Sequence, residues 1–167
     1  MVTVDARRSR VYAAEDQVAR LLERAAAGAR TVDFFGSTLT LPVERRFADL
    51  ASMQRWADAV LGLGEVVRRW PATPGVRLRE RKGLTRAHYQ PPGEIAVPLR
   101  TTWAARELVL CHELAHHLTT HDPAVPATAA GHGAQFQLAY EQVVEIVVGP
   151  EVALLLRAGL DAAGARR

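Results

Sequence analysis

His112, Glu113 and His116 stand in the run LVLCHELAHHLTTHD, Leu108 to Asp122, as His-Glu-x-x-His. On a helix, two histidines four apart lie one turn from each other, with Cβ atoms about 5 to 6 Å apart, so both imidazoles can take one ion. Glu113 is turned roughly 100° round the helix from His112 and borders such an ion without ligating it. That is where a base for a metal-bound water should stand. The competing reading is a helix whose histidines are solvated or packed and bind nothing.

A catalytic zinc takes three protein ligands and leaves a fourth position for water, so the motif needs a third residue. Cys111 is the only cysteine, which excludes both a cysteine-built zinc cluster and an internal disulfide. Histidine and carboxylate remain as donors. Asp122 lies six residues beyond His116, with His121 beside it, but a chain that ligates there turns at a glycine and this one has Thr119. Glu141 and Glu145 on the following helix are alternatives that could equally be solvated charges. His132, in GHGAQF, is the best placed: it ends a loop sixteen residues after His116, Gly133 lets the backbone approach closely, and Phe136 opens the apolar face of the next helix. His117 is expected as a hydrogen-bonded neighbour and Cys111 as a small buried residue. His88 and Tyr89, on a strand before the helix, are expected to be structural. With Tyr140 they are also unranked candidates for stabilising an oxyanion.

The elements that would position these residues follow from periodicity and turn chemistry. VYAAEDQVARLLERAAAG, Val11 to Gly28, places Val11, Ala14, Val18, Leu21, Leu22 and Ala25 on one face, with Ser9 as an N-cap and Gly28 as a stop. TVDFFGSTLTLPV, Thr31 to Val43, reads as two short strands around Gly36 and Ser37. A second helix through Phe47, Leu50, Ala57, Val60 and Leu61 ends at Gly64. WPATPG, Trp70 to Gly75, is a loop. VRLRERK, RAHYQ and EIAVP then suggest a small antiparallel meander, with Pro98 tolerable at a strand end or edge. The histidine helix should open near Thr101 or Thr102 and stop before Pro123. After the loop DPAVPATAAGHG come a helix over Ala134 to Gly149 and a last one with Pro150 as its first residue. This order describes an α+β chain, with a small antiparallel or mixed sheet packed against the histidine helix.

With 167 residues, the length suits one domain over 1–167. At 49% hydrophobic and 23% charged, the composition is that of a folded chain rather than a disordered one. No apolar run approaches the roughly 18 residues that span a bilayer, and the start MVTVDARRSR has no apolar segment, so no membrane association and a cytoplasmic location are expected. The formal charge of +3 and pI near 9.6 are arginine-borne, Lys82 being the only lysine. Arginine suits phosphate, but no RNP motif, zinc finger or basic repeat interleaved with aromatics points to nucleic acid.

HELAHHL followed by HGxxF, with strands before the helix, resembles the SprT-like and WLM-like zincin metallopeptidases. VYAAEDQV, TVDFFGSTLTLPVERRF, HELAHHL, HGAQF and GPEVALLLR together look like a family of small actinobacterial metallohydrolases with no assigned substrate, a likeness over nearly the whole chain. The resemblance implies a zincin-like domain with zinc on His112, His116 and His132, Glu113 as base, and the last strand before the helix, Glu94 to Val97, as the edge along which an extended substrate lies. HELAHH is also similar to repressor-cleaving peptidases, but their later alanine-asparagine motif is missing. The leading expectation is a zinc-dependent hydrolase acting on a peptide or protein. Its rivals are a DNA-associated protease acting on protein bound to nucleic acid, and a protein that binds metal without turnover.

Overall fold

Short-range chemistry decides several of the helix ends, among them the stop of the first helix at Gly28 and the start of the second at its capping box. The computed structural model describes residues 5, 7–83, 86–129 and 131–166. Of the opening MVTVDARRSR, residues 1–4 and 6 lie outside the described residues, as does Ala130 in the loop before His132. In chain order the elements are α1 (Arg8–Ala26), β1 (Thr31–Phe34), β2 (Ser37–Thr40), α2 (Leu50–Leu61), α3 (Gly64–Arg69), β3 (Arg77–Glu80), β4 (His88–Gln90), β5 (Glu94–Val97), α4 (Glu107–His121), α5 (Ala134–Val147) and α6 (Pro150–Ala162). Among the described residues these make six helices and two small sheets, an α+β architecture. No helix among them is long and apolar enough to cross a membrane. The described backbone divides into two units: the residues up to Glu44 together with those from Ala129 onward, and Arg45–Thr128.

In the first unit α6 packs against both α1 and α5. The expected apolar face of α1 is buried at Val11, Ala14, Val18, Leu22 and Ala25, while Leu21 is half-buried. Ser9 lies inside the first turn and Arg7 holds the N-cap position, so the expected serine cap is not used. Gly28 is the expected stop: its φ of 104° lets Ala29 N–H reach Arg24 O and Gly28 N–H reach Ala25 O, closing the helix end with two crossed hydrogen bonds. β1 and β2 pair antiparallel from Thr31 with Thr40 to Phe34 with Ser37. Their two-residue turn, Phe35 and Gly36, has positive φ at both positions, the backbone twist that suits a tight hairpin. α5 buries Phe136, Ala139, Tyr140, Val143 and Val144, and α6 starts with Pro150 in its first turn. A Cβ on Gly159 would stand 3.3 Å from Ala14 Cβ, so the glycine lets α6 come close to α1.

In the second unit α2 begins later than its hydrophobic pattern suggests, because Asp49 and Ser52 form a reciprocal capping box at Leu50. Phe47 therefore lies before the helix and stacks edge-on against Trp56 at 5.7 Å. The helix stops at Leu61 and α3 restarts at Gly64, a short helix that the sequence pattern did not indicate. The three-stranded sheet has the order β3-β5-β4, with β3 parallel and β4 antiparallel to β5. It is a mixed sheet rather than an antiparallel meander. β5 is its centre, so the expectation that Glu94 to Val97 forms a substrate-binding edge is wrong. The reason is legible afterwards: Ile95, Ala96 and Val97 are all buried, the uninterrupted apolar run of a strand covered on both faces. β3 and β4 instead alternate around single buried positions, Leu78 and Tyr89.

α4 opens at Glu107, five or six residues after the expected start. Arg106 is extended and pairs antiparallel with Arg46, while Phe47 N–H reaches Ala105 O and Glu107 N–H reaches Arg45 O. That pairing demands extended backbone where the sequence pattern suggested helix. The buried Glu107 carboxylate accepts from Trp56 Nε1–H at 2.8 Å and from Arg45 N–H at 3.3 Å, tying the start of α4 to α2.

Candidate metal centre

α4 brings His112, Glu113 and His116 together. Its residues from Glu107 to Leu118 are buried apart from His116, so it behaves as a core helix rather than a surface one. Leu108, Ala115 and Leu118 have no solvent exposure, as the apolar positions of the motif suggested. His112 is 1% exposed and Glu113 4%, whereas His116 is half-buried. The rings of His112 and His116 lie 5.1 Å apart between centroids, and a nitrogen of one is within 4.8 Å of a nitrogen of the other. An ion between two imidazoles at that spacing is within reach of small rotamer adjustments, since zinc sits about 2.0 to 2.1 Å from each ligating nitrogen. Tyr89 of β4 stacks nearly parallel to His116, with centroids 6.4 Å apart and planes 9° from coplanar. The aromatic face limits how the His116 ring can turn.

His117 and His121 repeat the same i, i+4 spacing five residues along, with ring centroids 4.8 Å apart. Their nitrogens serve the fold. His117 Nε2 donates to Pro74 O at 2.9 Å, and Nδ1 is 3.2 Å from the Tyr89 hydroxyl. Because the Pro74 carbonyl can only accept, Nε2 carries a proton, and the Tyr89 hydroxyl beside Nδ1 donates its own proton to Pro92 O at 3.0 Å. Burial holds the His117 imidazole below its ordinary range, more strongly than the bond to Pro74 raises it, with the neighbouring His121 lowering it further. Burial likewise pushes the Tyr89 phenol up, against a lowering bond from Thr120. His121 Nε2 donates to Pro92 O at 2.5 Å. His117 is thus the hydrogen-bonded neighbour expected of it, and Cys111 is fully buried.

His132 belongs to the first unit, in the turn that ends at Gly133, the N-cap residue of α5. It is 6% exposed. Nδ1 is 2.5 Å from Asp5 Oδ2, Tyr12 is tilted against the ring at 5.6 Å, and Phe136 meets it edge-on at 4.8 Å. Gln137 supports the main chain here, one amide donor reaching His132 O at 2.9 Å and Ala165 O at 3.0 Å. Asp5 and Gln137 are contributors that the sequence did not single out. Asp5 precedes the first apolar period, and no local pattern ties it to a histidine 127 residues away.

Of the competing third ligands, Glu141 and Asp122 have other partners. Glu141 is buried and ion-paired with Arg157 at 3.1 Å and with Arg166. Glu145 is exposed on α5. Asp122 closes α4 and accepts from Ala124 N–H at 2.9 Å. Of the oxyanion candidates, Tyr140 donates its hydroxyl to the buried Glu15 at 3.0 Å, the Tyr89 hydroxyl is engaged as above, and His88 is exposed on β4. Neither tyrosine hydroxyl can serve without leaving its present acceptor, the buried Glu15 carboxylate for Tyr140 and Pro92 O for Tyr89. Compared with protein-family models, with curated proteins and with solved structures, the chain matches none.

Proposed function

We propose that this chain is a zinc-dependent hydrolase of peptide bonds with a zincin-like fold, in which His112, His116 and His132 hold the metal and Glu113 is the general base. The observation that carries the reading is the pair of the buried His112 and the half-buried His116 on one face of α4, with the buried Glu113 carboxylate between them in sequence. The donor set suits the metal: three imidazoles with no thiolate is the composition of an open, catalytic zinc site rather than a closed structural one. His132 Nδ1 meets a carboxylate, the outer partner that zinc-ligating histidines characteristically have. Zinc bound there would supply a Lewis acid for the scissile carbonyl and bring the pKa of a bound water near 7.

Glu113 has the role of moving the proton. Held by α4 beside the two histidines, its carboxylate takes the proton of the attacking water and delivers it to the leaving amine. His112 and His116 are oriented by helix geometry, and Tyr89 stacked on His116 limits one ring's rotation. Since both sides of β5 are paired, an extended peptide would add to β4, the strand that packs against α4. A cytoplasmic peptide or protein is the substrate class this reading carries.

Elemental analysis of purified protein, combined with hydrolysis of fluorescein-labelled casein, tests the reading. Wild type should carry stoichiometric zinc, and Glu113→Gln should keep that zinc while losing about 100-fold or more in rate. A wild type that stays zinc-free after incubation with the metal, or a Glu113→Gln variant that works at the wild-type rate, would sink it.

A further inference from the structure

Resting on the three-histidine reading, we infer that Asp5 is the positioning residue of His132 and sets how tightly the site holds its metal. Asp5 uses its two carboxylate oxygens on different partners: Oδ1 accepts from Arg7 N–H at 3.2 Å, and Oδ2 meets His132 Nδ1 at 2.5 Å. The Asp5 main-chain carbonyl accepts from Arg8 N–H at 3.1 Å, so the residue is fastened to the start of α1. The fixed end of a helix therefore aims the carboxylate. A Cβ on Gly131 would stand 3.3 Å from Asp5 Oδ2, so glycine beside the ligand leaves the carboxylate room to reach the ring.

A carboxylate facing Nδ1 favours the tautomer with the proton on Nδ1 and the lone pair on Nε2. Tyr12 and Phe136 confine the ring plane, and Gln137 fixes the main chain beneath it through His132 O. Asp5 adds what packing cannot: the choice of which nitrogen ligates. It touches neither substrate nor reacting atoms, and acts only through His132.

The test is zinc affinity, measured by competition against a chromophoric chelator, for wild type and Asp5→Asn, with thermal unfolding of both zinc-free proteins as a control. The variant should bind zinc roughly 10- to 100-fold more weakly, while its zinc-free melting temperature stays close to that of wild type. Equal affinities in the two proteins would overturn the inference and leave the three-histidine reading standing. A wild type with no zinc affinity would overturn both. Long-range 15N–1H spectra of zinc-free wild type, at about pH 8 where an ordinary imidazole is neutral, need no variant. They should show His132 protonated on Nδ1, and an Nε2–H tautomer would overturn the role given to Asp5.

Discussion

α4 carries two histidine pairs of identical spacing, His112 with His116 and His117 with His121, at ring separations of 5.1 and 4.8 Å. Spacing alone does not distinguish them. His117 and His121 donate to the carbonyls of Pro74 and Pro92, two loop positions that flank the three-stranded sheet. That pair fastens loops to the helix, and taking an ion would cost those bonds. The first pair flanks Glu113 instead. One helix thus presents two imidazoles on one side and loop anchors on another, displaced by roughly 140° because the pairs are five residues apart and each residue turns the side chain by about 100°, with Glu113 between them.

The contrast can be broken by removing one histidine from each pair. His116→Ala should show the largest effect, lowering zinc affinity by more than the roughly 100-fold attributed to losing an outer partner, with little loss of fold because its ring is half-buried. Chelator competition measures the first and urea unfolding the second. His117→Ala should do the reverse. It leaves the Pro74 carbonyl without its donor and opens a cavity beside Tyr89, costing about 1 to 3 kcal/mol, while zinc binding stays near wild type. If His117→Ala loses zinc as completely as His116→Ala, the two pairs do not divide the work as argued.

A smaller effect sharpens the comparison from outside the histidines. The Asp49 carboxyl is held below its ordinary value of 3.8 by the backbone and side-chain bonds from Ser52, against an opposing effect of desolvation, with the charge of Arg55 the smallest contribution. A depressed carboxyl contributes its full stabilisation above the unfolded value and loses it as pH falls through the folded one, because the unfolded chain takes up the proton first. Asp49→Asn keeps a cap of similar quality and removes this titration. Urea unfolding of the variant below pH 3.8 should therefore weaken less steeply than that of wild type, whereas parallel curves would remove Asp49 from the acid response.

Much of the fold was legible because it depends on near neighbours. The face of α1, the stop at Gly28, the hairpin at Gly36 and the start of α6 at Pro150 all rest on contacts within a few residues. Serine at position 9 misled because a residue with capping chemistry caps only where the chain enters the helix, and here it enters at Arg7. The start of α4 misled because the 105–107 stretch pairs with residues near Arg46, far away in sequence. The strand order misled for the same reason, although the uninterrupted Ile95, Ala96 and Val97 gave a usable hint of a central strand.

For the candidate site, the sequence by itself determined the His112, Glu113 and His116 pattern and the helix that carries it, since a period of 3.6 residues translates spacing directly into a shared face. It also narrowed a third donor to a few residues. The tertiary structure decided how the others are occupied: Glu141 against Arg157 and Arg166, His121 against Pro92, and His132 against Asp5. A hydrogen-bond partner 127 residues away leaves no period in the chain to read, because only folding brings the two residues within reach.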